Sequence, residues 1–150
     1  MNPAYAAYRQ TSIQTASPER LLIMLIDGLI ASLERAKSAI EEGNPVEAHR
    51  HLIKAQDIVR EGLLGPLDMR YEVSQSLAKL YEYYHRRLVE ANLRKDVAAV
   101  EEVLDHMRGW RETWLQAAAK AAQERATALQ NPEGSSADSV SSVPQVPTHG

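Results

Sequence analysis

Cysteine is missing from this sequence, which excludes disulfides, thiolate metal sites and cysteine nucleophiles together and is compatible with a reducing compartment. Phenylalanine is missing too, leaving two Trp and six Tyr as the whole aromatic content. Long apolar runs are also lacking. The longest, Leu21 to Ile26, has six residues, far short of the roughly 20 needed to cross a bilayer. The opening MNPAYAAYRQ has no basic stretch followed by an apolar one, so no secretory signal is expected; the expected location is the cytoplasm, without direct membrane insertion. Lys and Arg are interleaved with Asp and Glu rather than clustered, so nucleic acid, which demands grouped cations, is not an expected partner.

What is present is the mixture of an ordinary globular chain: 150 residues, 25% charged and 44% hydrophobic, with a net charge of −3. That length fits one domain better than two. Glu133 and Asp138 contribute to the charge while no Lys or Arg follows Arg125, so residues 1–130 are close to neutral.

Four segments carry helical periodicity. Ser17-Pro18-Glu19 opens the first with a side-chain acceptor and a proline at the first helical position. Its stripe is Leu22, Leu25, Leu29, Leu33, Ala36 and Ile40, and Gly43 stops it. Asn44-Pro45-Val46-Glu47 starts the second, whose stripe is Ala48, Leu52, Ala55, Val59 and Leu63 and which ends in Gly62–Pro66. A loop is expected over about 65–70. The third takes Val73, Leu77, Leu80, Tyr84, Leu88 and Ala91, with Arg94 and Lys95 at its C-terminal end, where the helix dipole favours cations. Asp96 caps the fourth, which uses Val100, Leu104, Met107, Trp110 or Arg111, Trp114 and Ala118 and runs to about 129.

Residues 131–150 are rich in Ser, Pro and Gly and have few large apolar groups, so they are expected to form a disordered tail behind a domain of residues 1–130. Short connections between long helices give antiparallel neighbours. The expected fold is all-α, an up-down-up-down four-helix bundle with a short N-terminal segment packing on it.

Catalytic and metal chemistry find little support. A di-iron bundle needs two Glu-x-x-His pairs. Glu82 and His85 supply one, but Glu102 and His106 are spaced i,i+4 and the first helix has no Glu on its stripe. His49 and His51 point about 160° apart on a helix and cannot share an ion. No Ser/His/Asp set or phosphate-cradling glycine loop is present, so neither enzyme activity nor a cofactor is expected.

Two features exceed what a plain bundle requires. The first helix carries Leu21, Ile23, Met24, Ile26 and Ile30 beyond its stripe, and Met24, Gly28 and Ala31 fall at i, i+4 and i+7. That flank combines a soft side chain with two small ones and can admit either a partner segment or a neighbouring helix of the same bundle. Tyr5-x-x-Tyr8 precedes the first helix, and Tyr81, Tyr83 and Tyr84 crowd the third. At least one of these three rings must reach the surface, where tyrosine is at home.

The residues Tyr5-x-x-Tyr8, Thr15-Ala16-Ser17-Pro18-Glu19-Arg20-Leu21-Leu22 and Met24-Leu25-Ile26-Asp27-Gly28 resemble the opening of the FliS family, the flagellin-specific export chaperones. The resemblance continues at Lys54-Ala55-Gln56-Asp57-Ile58, Leu67-Asp68, Leu80-Tyr81-Glu82-Tyr83, Arg86-Arg87-Leu88-Val89-Glu90-Ala91-Asn92 and Arg111-Glu112-Thr113-Trp114. It covers about residues 3–120 in order and spacing. It implies a helical bundle that binds the disordered C-terminal region of flagellin, blocks premature polymerisation, and helps deliver flagellin to a protein of the flagellar export gate; other flagellar regulators are further expected partners. It also implies that Tyr5 and Tyr8 belong to an N-terminal segment associated with the binding surface. The partner-binding residues expected from spacing and resemblance together are Tyr5, Tyr8, Met24, Gly28, Ala31, Tyr81 and Tyr83. Two rival readings are a helical-bundle enzyme with a metal centre and an adaptor or regulator that binds a folded partner.

Overall fold

The computed structural model describes residues 17–130. Helix α1 spans Pro18–Glu41. Ser17 has extended backbone, and its hydroxyl accepts from the Arg20 amide at 3.3 Å, satisfying one of the free donors of the first turn. At the other end Gly43 takes φ +71°. Its amide donates to the Ile40 carbonyl and the Asn44 amide to the Ala39 carbonyl, the paired closure for which glycine's left-handed freedom is needed. Asn44 also starts α2, Pro45–Asp57, by accepting from the Glu47 amide at 3.2 Å.

The residues expected on the second stripe, Ala48, Leu52, Ala55, Val59 and Leu63, are all buried. The helix does end near Gly65, but its last two turns are wider than an α-helix: Ile58–Leu64 is a π-helical segment, closed by the Gly65 amide donating five residues back to the Arg60 carbonyl at 2.9 Å. Helix α3 covers Glu72–Arg94 and α4 covers Val97–Gln130. Between them Lys95 adopts a left-handed φ of 51°, with its ammonium bound to the Asn92 carbonyl and side-chain oxygen at 2.5 and 2.7 Å. Asp96 Oδ1 accepts from the Ala98 amide at 2.9 Å and starts α4, as its sequence position suggests.

Helix α1 packs on α2 and α4, and α3 closes the ring by packing on the other side of both and on the π segment. Lys37 pairs with Glu101, and Asp27 with Arg111. Moving ten residues back along α1 therefore means moving ten forward along α4, which is antiparallel register. With 34 residues in α4 against 24 in α1, residues 121–130 run about 15 Å past the start of α1.

The core is built from Leu25, Leu29, Leu33 and Ala36 of α1, the α2 stripe, Tyr84, Leu88 and Ala91 of α3, and Val100, Val103, Leu104 and Met107 of α4. Two expectations need correction. Ile23 and Ile26, read as surplus to the α1 stripe, are buried. On α3, Val73 is 66% exposed, and the first turns instead bury Ser74, Ala78 and Tyr81. Both rows are valid helical stripes that converge on Tyr84. Packing selects the one whose small residues, Ser74 and Ala78, permit close approach of a neighbouring helix.

Candidate functional site

Tyr5 and Tyr8 lie outside the described residues, as does the tail 131–150. The remaining five expected residues sit on two helices, Met24, Gly28 and Ala31 on α1 and Tyr81 and Tyr83 on α3. Met24, Gly28 and Ala31 are half-buried on α1, and a Cβ placed on Gly28 would lie 3.8 Å from Ile58 Cδ1. At Gly28, then, the π segment of the same bundle uses the space beside the flank. Tyr81 is only 6% exposed, because it shares the inward row with Tyr84 and Leu88. Its ring centroid lies 6.5 Å from that of Tyr84, and burial pushes its hydroxyl pKa up. Tyr81 is therefore packed into the core of the closed bundle.

Tyr83 is the ring of this group that reaches the surface. It is half-buried on the seam between α3 and α4, with its hydroxyl donating to the Glu102 carboxylate. Arg87 Nε donates to the other Glu102 oxygen at 2.9 Å and its Nη1 to Glu90 at 2.9 Å. The hydrogen bond from Tyr83, followed by that from Arg87, holds the Glu102 carboxyl below its ordinary range. The same bond to Glu102 raises the Tyr83 pKa. These contacts fix the upper part of the seam.

Farther along the same seam is a groove that the sequence reading did not single out. It has a volume of about 350 Å³ and is lined by Leu80, Tyr84, His106, Gly109, Trp110 and Thr113. Tyr84, 1% exposed, forms its floor. The Tyr84 hydroxyl accepts from Trp110 Nε1 at 3.2 Å and lies 3.0 Å from His106 Nδ1, and the His106 ring stands edge-on to the tyrosine at 5.3 Å. The polar atom at the floor is thus satisfied, as a buried hydroxyl must be. A Cβ on Gly109 would meet nothing within 4 Å, so the wall is open there. Leu80 and Trp110 pack against the core yet are only partly buried, leaving apolar side chains in the groove wall; Leu77 and Trp114, one turn away on the same helices, are partly buried as well. The signal was present in the Trp110 and Trp114 spacing, but periodicity alone assigns both to the core and cannot report how completely they are covered.

A second groove, of about 400 Å³, lies between the end of α1 and the start of α2 and is lined by charges of both signs, among them Glu34, Arg35, Glu42, Glu47 and His51. Glu47 pairs there with Arg50 at 2.6 Å and with His51 at 3.4 Å. His49 instead approaches Asn92 of α3 at 2.9 Å, so the two histidines do engage separate partners. Among the described residues no three His, Asp or Glu side chains are grouped to hold a metal ion, and no helix is long and apolar enough to cross a membrane.

The groove, the closed core and the helix order can be set beside known proteins. Residues 1–121 match the family described as "Flagellar protein FliS". The chain is 39% identical over 116 residues to the flagellar secretion chaperone FliS of Bacillus subtilis, covering 77% of this chain and 86% of that protein. It is 40% identical over 121 residues to the flagellar secretion chaperone FliS of Salmonella typhimurium, covering 77% and 90%. It is 35% identical over 117 residues to the flagellar secretion chaperone FliSB of Pseudomonas aeruginosa, covering 71% and 92%.

Proposed function

This chain belongs to the FliS family, and from that premise we propose that it is a cytoplasmic flagellar secretion chaperone whose client is the C-terminal region of flagellin. It holds that region unpolymerised and helps deliver it to a protein of the flagellar export gate. Its work is binding, without a catalytic step. Residues 1–130 form the chaperone body, and other flagellar regulators are further candidate partners.

The observation that carries this reading is the groove on the α3–α4 seam, where Leu80 and Trp110 are only partly covered above the buried Tyr84. An unfolded client with amphipathic potential gains by laying its apolar face into such a groove. Ordering the client is costly, so it must wrap a large surface to bind usefully. Met24, Ala31 and Tyr83, half-buried at the surface, are secondary contact points, and Tyr5 and Tyr8 belong to a segment that exchanges with the client. Tyr81 and Gly28 support the surface from beneath.

The test is titration with the C-terminal segment of the organism's own flagellin. The expected result is saturable one-to-one binding, a gain of client helix in circular dichroism and a clearly negative heat-capacity change. Replacing Tyr5 and Tyr8 by Ala should change client affinity while leaving helicity intact. Absence of binding at micromolar concentrations would transfer the weight to an adaptor that recognises a folded partner.

A further inference from the structure

The family match ends at residue 121, whereas this chain continues for a further 29 residues. Within that continuation Val140, Val143 and Val146 recur at every third position, with Pro144 and Pro147 following the last two. Three residues make one turn of a polyproline II helix, so this spacing would set all three valines along one side of such a helix. Residues 139–148 contain no charged side chain, so nothing in them would have to lose the hydration of an ion on entering an apolar groove.

The α3–α4 groove has the complementary character. It is lined by the partly buried Trp110 and Leu80, with Tyr84 and His106 as further rings, and aromatic-lined grooves are the usual receptors of proline-rich segments. The tether also reaches. Thr113, the groove residue nearest in sequence to Gln130, lies about 26 Å back along α4 from it, and the nine residues 131–139 can span up to about 30 Å. Attachment to the same chain makes the encounter intramolecular, so a segment with weak intrinsic affinity can still occupy the site.

We propose that residues 140–147 of this chain dock in the α3–α4 groove across Leu80 and Trp110, as an internal ligand. The docking stands independently of the client. That a client must displace the segment rests on the function proposed above.

Trp110 lines the groove and Trp114, the protein's other tryptophan, lies one helical turn away, so fluorescence reports on the groove and its surroundings. Acrylamide quenching of the full chain is compared with that of the Val143→Asp/Val146→Asp double variant, which alters no residue of the four described helices and should leave the circular dichroism unchanged. The expected result is at least about a twofold rise in the quenching constant, with a red shift of emission, as a ring face returns to water. The control Ser135→Asp/Ser136→Asp adds the same charge outside the segment and should leave quenching as in the unaltered chain. Equal quenching in all three proteins would overturn the proposal, as would an equal rise in both variants. A difference that vanishes on dilution would also overturn it, because docking between two copies depends on concentration and docking within one does not. Flagellin titration of the double variant is a separate measurement. Unchanged client affinity there would count against competition for the groove and leave the quenching result intact.

Discussion

Arg111 Nε donates to Asp27 Oδ1 at 2.5 Å, joining α4 to α1 across 84 positions of sequence. Both side chains are substantially exposed, so water and salt weaken the pair, and its main effect is on register. Asp27→Asn should lower the unfolding midpoint only slightly at low ionic strength and by an amount close to zero at 1 M salt. A loss that persists undiminished at high salt would contradict this account.

Leu33 and Val73 are both apolar residues that helical periodicity places on stripes, but Leu33 is fully buried in the core and Val73 stands in water. Leu33→Ala should cost about 2–5 kcal/mol of stability in urea unfolding, through lost transfer energy and the cavity left behind. Val73→Ala should stay within about 0.5 kcal/mol. Similar losses for the two would mean that α3 buries the row beginning at Val73 after all.

Three glycines separate backbone need from side-chain room. A methyl at Gly28 meets only Ile58 Cδ1 at 3.8 Å, an ordinary contact inside a helix, so Gly28→Ala should stabilise by about 0.5–1 kcal/mol. At Gly65 the added carbon would lie 3.0 Å from the Glu61 carbonyl oxygen, backbone that cannot swing aside, and Gly43 has positive φ. Alanine at either should destabilise, at Gly43 by about 1–2 kcal/mol. Thermal midpoints of the three variants give the order directly; a stabilising Gly65→Ala would argue against the close turn at the end of the π segment.

His85 faces the π segment with its Nε2 buried and without a hydrogen-bond partner. Burial lowers its pKa from 6.5, Arg60 lowers it further, and Asp57 opposes them. The folded state therefore takes up a proton less readily than the unfolded chain. Stability is complete above about pH 6.5 and declines as pH falls through that value toward the depressed folded pKa. His51 acts in the same direction, with burial first and Arg50 second. Carboxylates such as Glu102, depressed from 4.5, add their loss only at lower pH. Urea midpoints at pH 7.5, 6.5 and 5.5 should fall across the series, and His85→Gln should flatten the slope. An identical slope in that variant would remove His85 from the cause.

Helix boundaries were legible because they depend on neighbours in sequence. Ser17, Gly43, Asn44 and Asp96 each perform their capping role within two to five residues of their own position, so residue type is nearly sufficient. The π segment was not legible, since shifting a hydrogen bond from four to five residues back barely alters the apolar pattern of Ile58, Val59 and Leu63. The candidate site was legible only in part. Tyr81 and Tyr83 both occupy helix α3, two positions apart, yet one is core and the other bonds to Glu102 of α4.

Local chemistry by itself thus determined the four helices, their caps, their antiparallel order and the family to which the chain belongs, because propensity, capping and period act over a few residues. Tertiary structure alone decided which of two valid stripes α3 buries, that Ile58 lies against the Gly28 flank, and that Leu80 and Trp110 line an open groove over Tyr84. Those outcomes depend on which surfaces of distant helices can approach closely enough to exclude water, a property of the assembled bundle that no single segment carries.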